Sequence, residues 1–224
     1  MPGAPKNISS QRRLASAASA KGLELYERWE VEAAIEQFRA ASEADPTEPD
    51  HFLHLAQALA RSGAYDKARR ALADFMRLEP ESVLTARFER LFATGMDPVE
   101  KLVTNVMKEH DSPLEEIAAA INMWLEYRIA IGRQPLNTRD PGAWAGALDY
   151  TVRKVNLHET ALAQLAEWYE TRESLIRKRH TDLVRTLDVM PCDYRYFRGK
   201  ENPLDKLVEA AEMMERLEER FRQP

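Results

Sequence analysis

Few residues in this chain have the type and spacing that catalysis or metal binding requires. His51 and His54 stand three positions apart, which places both imidazole rings on one face of a helix, where two histidines can share a zinc ion. No carboxylate or cysteine stands at ligand spacing around this pair. We therefore interpret the two histidines as groove or surface residues and predict no metal site.

Cys192 is the only cysteine in the chain, so it forms no internal disulfide and no paired zinc ligand. A reducing cytoplasm is the simplest location for such a protein. Cys192 has no histidine nearby in the sequence to activate its thiol as a nucleophile. The chain also contains no phosphate-binding glycine loop, no Gly-x-Ser-x-Gly motif and no zinc-binding histidine–glutamate motif. We predict a protein that is not an enzyme and that needs no cofactor.

Positive charge is concentrated in one stretch of the C-terminal half, which suggests contacts to phosphate groups. The candidate nucleic-acid contacts are Arg172, Arg177, Lys178, Arg179 and His180. Acidic residues are interspersed with them, namely Glu159, Glu167, Glu170, Glu173 and Asp182. The whole chain has a net charge of -5, whereas nucleic-acid-binding proteins usually concentrate positive charge on one face. Nucleic-acid contact and a structural or protein-binding role both remain open for this stretch.

The elements that must position these residues are helices. Hydrophobic residues make up 44% of the chain, charged residues 31%, and glycines number only 8 of 224 residues. A composition rich in Ala, Leu, Glu and Arg favours helix throughout, so we predict an all-α fold. No apolar stretch has the length of a membrane span or of a signal-peptide core, so no membrane association is expected. Residues 1–13 are predicted to be a flexible tail.

Internal self-similarity is the strongest pattern in the N-terminal half. A set of small, large and proline positions recurs after 34 residues: Gly22, Ala34, Phe38, Ala41 and Pro46 correspond to Ala56, Ala68, Leu72, Phe75 and Pro80. The small residues allow two helices to cross closely, and the large ones fill the space between neighbouring hairpins. The prolines end the second helix of each hairpin. Gly63 marks the turn of the second hairpin, and Trp29 replaces that glycine in the first.

This period resembles the tetratricopeptide repeat, and the resemblance covers residues 14–82. Residues 83–94 resemble the first helix of a third, degraded repeat, so that repeats of this type extend over residues 14–97. The resemblance implies a groove for a protein partner, lined by the first helix of each hairpin. By position, the partner groove consists of Leu23, Tyr26, Glu27, Asp50, Leu53, Gln57 and Arg61, with Ser16, Ser19 and Ala60 on the same face. A helical element must follow to cover the end of the stack.

The second half, residues 98–188, is predicted to contain five helices. Their predicted bounds are 98–110, 114–131, 142–156, 159–169 and 172–187, with a loop over residues 132–141. The short connection between the last two suggests a helix-turn-helix, in which Glu170 occupies the position where the turn glycine is expected. Five helices that end in this way resemble the cyclin-like domain of transcription factor IIB. They also resemble uncharacterised bacterial helical domains, through Pro141, Trp144, Ala145, Tyr150, Val155 and Asn156.

Residues 189–224 are predicted to form a linker and a final amphipathic helix. The aromatic and basic side chains of residues 190–200 pin the linker to the domain or, in the alternative, stack on bases or a partner. Leu204, Leu207, Val208, Ala211, Met214, Leu217 and Phe221 form one apolar stripe at helical spacing over residues 203–222. This stripe is expected to pack against the protein itself or, in the alternative, against another subunit.

The leading functional hypothesis is a cytoplasmic adaptor that binds a protein or peptide through the groove of the repeats. The alternative is a transcription-related or other nucleic-acid-binding regulator that uses the helix of residues 172–187. The sequence identifies neither the partner nor the oligomeric state.

Overall fold

A computed structural model describes residues 8–93, 96–208 and 211 of the chain. These residues contain helices and connecting segments but no strand, which confirms the all-α fold for the described part of the chain. The chain divides into two compact units. The first unit comprises Met1–Asp97 and Leu125–Leu136, and the second comprises Pro98–Trp124 and Asn137–Pro224.

The first unit is built from two helical hairpins and one further helix. The helices are α1 (Ile8–Glu27), α2 (Val31–Ala44), α3 (Pro49–Arg61), α4 (Tyr65–Leu78) and α5 (Val83–Ala93). The helix pairs α1–α2 and α3–α4 pack as hairpins, α2 packs against α3, and α4 packs against α5. As predicted, α2 and α4 end immediately before the Asp45-Pro46 and Glu79-Pro80 pairs, because the residue before a proline avoids the helical conformation.

The predicted flexible tail is wrong for residues 8–13, since α1 already begins at Ile8. Ser, Gln, Arg and Leu follow one another here without glycine or proline, so that nothing in this stretch interrupts a helix. The helix is also tied to its neighbour, because Arg12 Nε lies 3.5 Å from Asp45 Oδ2. Ala15 in the next turn is completely buried. Residues 1–7 lie outside the described part of the chain.

The two hairpin turns share one backbone geometry despite their different residues. Glu30 N–H donates to Leu25 O at 3.0 Å, and Ala64 N–H, 34 residues later, donates to Leu59 O at 2.9 Å. The turn requires a left-handed residue, which is Gly63 (φ 77°) in the second hairpin and Trp29 (φ 63°) in the first. For a residue other than glycine, this conformation costs about 1–2 kcal/mol. The 34-residue repeat of the sequence is thus also a repeat of local structure.

Buried apolar side chains from both hairpins hold the first unit together. Gly22 lies so close to Phe38 that a Cβ atom there would stand 2.6 Å from the phenyl ring, which explains the small residue. The larger core cluster joins Leu72, Phe75 and Phe88 to Leu125 and Ile129. Full burial of one such side chain contributes about 1.5–3 kcal/mol. The cluster therefore ties the segment around Leu125 firmly to the stack.

The predicted domain boundaries need one correction, which concerns this segment. Residues 98–188 were expected to form one continuous domain, but Leu125–Leu136 belongs to the first unit. The helix α7 (Leu114–Ala130) contributes its residues up to Trp124 to the second unit and its last residues to the first. The reason is apolar burial, because Leu125 and Ile129 complete the core beside α5. We call Leu125–Leu136 the docked segment. No consecutive second helix completes a third hairpin, since α6 belongs to the second unit.

The second unit contains the remaining helices, and their bounds lie close to the predicted ones. They are α6 (Pro98–Glu109), α8 (Pro141–Val155), α9 (Leu162–Trp168) and α10 (Glu173–Leu187), together with the first part of α7. The helix α8 packs against α6, α9 and α10, and eight consecutive residues of it, 142–149, are buried. Trp124 and Trp144 meet in the core with ring centroids 5.2 Å apart. The prediction for α9 was too long, because residues 159–161 are extended or irregular.

The irregular stretch after α10 is held to the second unit by side-chain hydrogen bonds. Asn156 donates to Tyr196 O at 3.2 Å and accepts from Arg198 N–H at 2.7 Å. Arg195 pairs with the buried Asp193 at 2.8 Å and donates to Leu187 O at the end of α10. Residues 203–208 are helical, with Leu207 and Val208 exposed. The rest of the predicted final helix, apart from residue 211, lies outside the described residues.

Candidate functional site

The face predicted to bind a partner lies on α1 and α3 of the first unit, and we call it the inner face. On α1, Leu23 and Glu27 are exposed, Tyr26 is half-buried and Ser16 is exposed. Ser19 is buried and its hydroxyl lies 3.5 Å from His54 Nδ1 of α3. The two helices therefore lie side by side along this face, as a groove requires.

Arg61 at the end of α3 is stacked between two aromatic rings. Its guanidinium carbon lies 3.8 Å from the centroid of the Tyr26 ring and 4.5 Å from that of the Trp29 ring. One guanidinium nitrogen also donates to Tyr26 O at 3.2 Å. Cation–π contacts of this kind contribute about 0.5–2 kcal/mol, which offsets the left-handed conformation of Trp29. Arg61 was predicted to contact a partner, but its guanidinium instead fastens α3 to the turn after α1.

The α3 half of the inner face is covered by the chain itself. Leu53 is only 4% exposed, because it packs in one cluster with Leu125 and Ile129 of the docked segment. Gln57 Nε2 donates to Ala130 O at 3.2 Å and to Ile129 O at 3.4 Å. Leu53 and Gln57, which were predicted to line the partner groove, thus contact the docked segment of the same chain, because the burial of Leu125 and Ile129 brings that segment onto them.

Asp50, at the beginning of α3, holds the same segment by an ion pair. Arg133 lies 2.8 Å from Asp50 Oδ1 and 2.8 Å from Glu79 Oε1, so one guanidinium bridges two elements of the stack. The hydrogen bonds that Arg133 donates to the carboxylates of Glu79 and Asp50 raise the pKa of Arg133 above its ordinary value. The Arg133 side chain is nearly half exposed, so solvent screening keeps the contribution of this bridge to stability small.

Arg87 of α5 completes the attachment of the docked segment. Its guanidinium donates to Gln134 O at 2.8 Å, to Arg128 O at 3.2 Å and to Gly132 O. The last carbonyl groups of a helix have no partner within the helix and carry partial negative charge. Arg87 and Gln57 together supply donors to Arg128 O, Ile129 O and Ala130 O at the end of α7. The first unit thus binds the C-terminal end of a helix by both side-chain donors and apolar contact.

Between α3 and the docked segment remains an open cleft of about 450 Å³, which we call the α3 cleft. Its lining consists of Asp50, Leu53, His54 and Gln57 with residues 130–134. Burial lowers the pKa of His54, and the neighbouring Asp50 opposes this shift only in part. His54 is therefore predominantly neutral at pH 7. His51, predicted to be a groove or surface residue, is instead buried.

The five candidate nucleic-acid contacts on α10 separate into two groups. Arg172, Arg177 and Lys178 are exposed. Arg179 instead stacks on Trp144 at 4.6 Å and pairs with Asp182 at 3.1 Å. His180 Nδ1 lies 2.9 Å from the Thr151 hydroxyl. Arg179 and His180 are thus partly buried and already have side-chain partners, because α8 lies against that side of α10. Between α9 and α10, Glu170 adopts a left-handed conformation (φ 48°) at the position expected for glycine.

The second unit contains a buried polar network that was not predicted from the sequence. Asp149 of α8 is completely buried, accepts a hydrogen bond from the Tyr169 hydroxyl at 2.9 Å and pairs with Arg153 at 2.6 Å. Burial raises the pKa of Asp149, although Arg153 and Tyr169 oppose the shift. A signal for this network was present, since Asp149 is the one charged residue within the apolar stretch of α8. The network joins α8 to the turn after α9.

Among the described residues, His, Cys, Asp and Glu side chains form no group of three that could hold a metal ion. No helix in the described part of the chain combines the length and the apolar character needed to cross a bilayer. In comparisons with known proteins, the chain matches no family model, no curated protein and no solved structure.

Proposed function

We propose that this protein is a non-enzymatic adaptor that binds a peptide segment of another protein on the inner face of its first unit. One observation carries the proposal, namely that this face already holds a polypeptide segment. The docked segment lies on α3, where Leu53 supplies an apolar contact and Gln57 binds main-chain carbonyls. A surface that recognises one segment by apolar burial and main-chain hydrogen bonds has the chemistry to recognise another.

The place for the partner is the part of the inner face that the docked segment leaves open. On α1 this part displays Leu23, which is 39% exposed, with Glu27 one helical turn further along. On α3 it comprises the α3 cleft, whose lining includes neutral His54 and the side chain of Gln57. An apolar residue beside hydrogen-bond donors and acceptors suits a short helix or an extended peptide.

The architecture of the first unit supports this proposal. We propose that its hairpins are tetratricopeptide-type repeats, since the 34-residue period recurs in both the core residues and the turn hydrogen bonds. In such stacks the first helices of successive hairpins share one face. Here α1 and α3 are these helices, and their side chains meet at Ser19 and His54.

The test compares two leucines of the same helix. Leu23 and Leu14 are both exposed on α1, but they stand nine residues apart, which is about two and a half helical turns, so they face opposite sides. Wild type, Leu23→Glu and Leu14→Glu chains would be used as affinity baits in extracts of the native host, with retained proteins quantified by mass spectrometry.

We expect at least one protein to be retained by the wild type and by Leu14→Glu but lost with Leu23→Glu. Since both substitutions place the same charge on an exposed position, a difference between them cannot come from charge alone. Identical sets of retained proteins for all three baits would contradict the proposal. Circular dichroism would verify that the three chains have the same helix content.

A further inference from the structure

The second unit displays a group of positive charges along the outward face of α10. Arg177 and Lys178 are adjacent and exposed in the middle of this helix. Neither forms an ion pair with a carboxylate among the described residues. Ser174 and Thr181, three or four positions before and after them, are exposed on the same side of the helix. Together with Lys154 of α8, these four residues are called the basic face.

Lys154 adds a third cation to this face from the neighbouring helix. Its ammonium nitrogen lies 5.7 Å from the centroid of the Tyr150 ring, and the same ring contacts the His180 ring of α10 with centroids 4.9 Å apart. Lys154 therefore lies on the side of α8 that meets α10, next to the turn that follows Arg177. Lys154 is exposed and forms no ion pair with a described carboxylate. Three cations from two helices thus face solvent here.

The carboxylates of this region do not neutralise the basic face. No acidic residue occurs between positions 174 and 181. Asp182 is bound by two other arginines of α10, at 3.1 Å and 3.6 Å. Glu170 and Glu173 are exposed at the N-terminal end of the helix, where Arg172 is an exposed cation between them. The middle of α10 therefore keeps a local excess of positive charge, although the whole chain has a net charge of -5.

The composition of the basic face favours a phosphate backbone over a protein or a membrane. No large apolar side chain of α8, α9 or α10 is exposed. The centre of a protein interface is usually apolar, and a membrane-binding helix needs an apolar face. The Ser174 hydroxyl has no partner among the described residues. In nucleic-acid complexes, serine hydroxyls bind phosphate oxygens alongside arginine and lysine.

We propose that the basic face binds the sugar-phosphate backbone of a nucleic acid. Arg177, Lys178 and Lys154 pair with phosphates, and the Ser174 hydroxyl donates to a phosphate oxygen. From residue 174 to residue 181 the helix extends about 10 Å, which spans about three successive phosphates of one strand. Since these contacts reach only phosphates, the affinity depends on the salt concentration and not on the base sequence.

The test measures binding of the full-length chain to three fluorescein-labelled probes by fluorescence anisotropy at 50 mM and 200 mM salt. The probes are single-stranded RNA, single-stranded DNA and duplex DNA, each about 20 nucleotides long per strand and each made in two base sequences, so that about six phosphates remain for every contact expected. The charge-reversal variant is Arg177→Glu/Lys178→Glu. Its matched control is Lys67→Glu/Arg70→Glu, which reverses one lysine and one arginine at exposed positions of α4.

We expect the wild type to bind at least one probe with a Kd of about 100 µM or tighter at 50 mM salt. Its affinity should fall about 20- to 40-fold at 200 mM salt, as three phosphate contacts require, and should be equal for the two base sequences. The Arg177→Glu/Lys178→Glu chain should bind at least about tenfold more weakly at 50 mM salt, because attraction to phosphate becomes repulsion. The control variant should bind within about threefold of the wild type, since its charges are distant from the site.

A third variant separates loss of charge from loss of structure. Arg177→Lys/Lys178→Arg keeps both positive charges and should bind within about threefold of the wild type, because phosphates are held here by charge. All substituted side chains are exposed. Circular dichroism and thermal unfolding would verify that each variant keeps the fold of the wild type.

Four results would overturn the proposal. These are the absence of binding to all three probes at 50 mM salt, equal loss of binding in the two charge-reversal variants, an affinity that does not change with salt, and displacement of the probe by polyglutamate at a lower charge concentration than by unlabelled nucleic acid. The last result would assign the basic face to an acidic protein instead. A Leu23→Glu chain should keep its affinity for the probes, so this test is independent of the inner face.

Discussion

The α1 half and the α3 half of the inner face have the same position in consecutive hairpins but differ in what covers them. Leu53 of α3 is buried under the docked segment, whereas Leu23 of α1 is exposed. Gln57 donates to main-chain carbonyls, while Glu27 of α1 lies exposed. The α3 half of the face is therefore covered by another segment of the same chain, whereas the α1 half is exposed. A repeat pattern fixes where a groove lies, but not whether the groove is vacant.

The largest expected difference between the halves is in stability. Ile129→Ala removes a completely buried side chain from the cluster that holds the docked segment, and it should lower the free energy of unfolding by about 2–4 kcal/mol. Leu23→Ala on the open half should change it by less than about 0.5 kcal/mol. Urea denaturation followed by circular dichroism measures both. Similar values for the two variants would mean that the halves are not distinguished by burial.

The next effect concerns the carbonyl groups at the end of α7. Gln57→Ala leaves Ala130 O without its side-chain donor, which should cost about 1–2 kcal/mol. Gln57→Glu has the same size but places a carboxylate against two carbonyl oxygens, so it should be the more destabilising of the two at pH 7. The same urea titration at pH 7 compares them. If Gln57→Glu proved as stable as the wild type, the hydrogen bonds to the docked segment would be unimportant.

A smaller effect is expected for the exposed ion pairs. Arg133→Ala removes the bridge to Asp50 and Glu79 and should cost at most about 1 kcal/mol at low salt, because both pairs are solvent-exposed. At 1 M salt the difference from the wild type should nearly vanish. Thermal unfolding at the two salt concentrations tests this. A loss that persists at high salt would assign Arg133 a packing role, since its guanidinium also lies 5.4 Å from the Phe75 ring.

The smallest effect is the pH dependence contributed by His54, which lies where the two halves meet. Burial lowers its pKa in the folded state below the value of about 6.5 for an unfolded chain. The unfolded state therefore takes up the proton first as the pH falls, so stability is complete above the unfolded pKa and decreases as the pH falls through the folded pKa. His54→Gln should lose less stability than the wild type between pH 7.5 and 5.5. If the free energy of unfolding fell equally with pH in His54→Gln and in the wild type, this contribution of His54 would be excluded.

Much of the first unit was predictable from local patterns. The 34-residue period gave the two hairpins, the Asp45-Pro46 and Glu79-Pro80 pairs gave the ends of α2 and α4, and Gly63 marked a turn that the structure contains. Trp29 at the corresponding turn departs from the glycine that the pattern predicts. Arg61 offsets the cost of the left-handed conformation of Trp29 by a stacking contact that no local pattern shows.

The position of the candidate site was predictable, but whether another segment covers it was not. Leu23, Tyr26 and Gln57 were assigned to one face, and the structure places them on α1 and α3, which lie side by side. The occupant of the α3 half was missed, because Gln57 and Ala130 are 73 residues apart and no repeat links them. Similarly, the sequence suggested that Arg179 and His180 are displayed on the surface of α10. In the structure they contact Trp144 and Thr151 of α8, which are distant in the sequence.

The sequence by itself determined the helical class, the hairpin repeat and the approximate bounds of α6 to α10, because helix formation and termination depend on residues within a few positions of one another. Only the tertiary structure decided that the end of α7 joins the first unit and covers half of the inner face. That outcome depends on burial of Leu125 and Ile129 and on donors for the last carbonyls of a helix. Both requirements are met by residues distant in the sequence, and the folded chain alone brings them together.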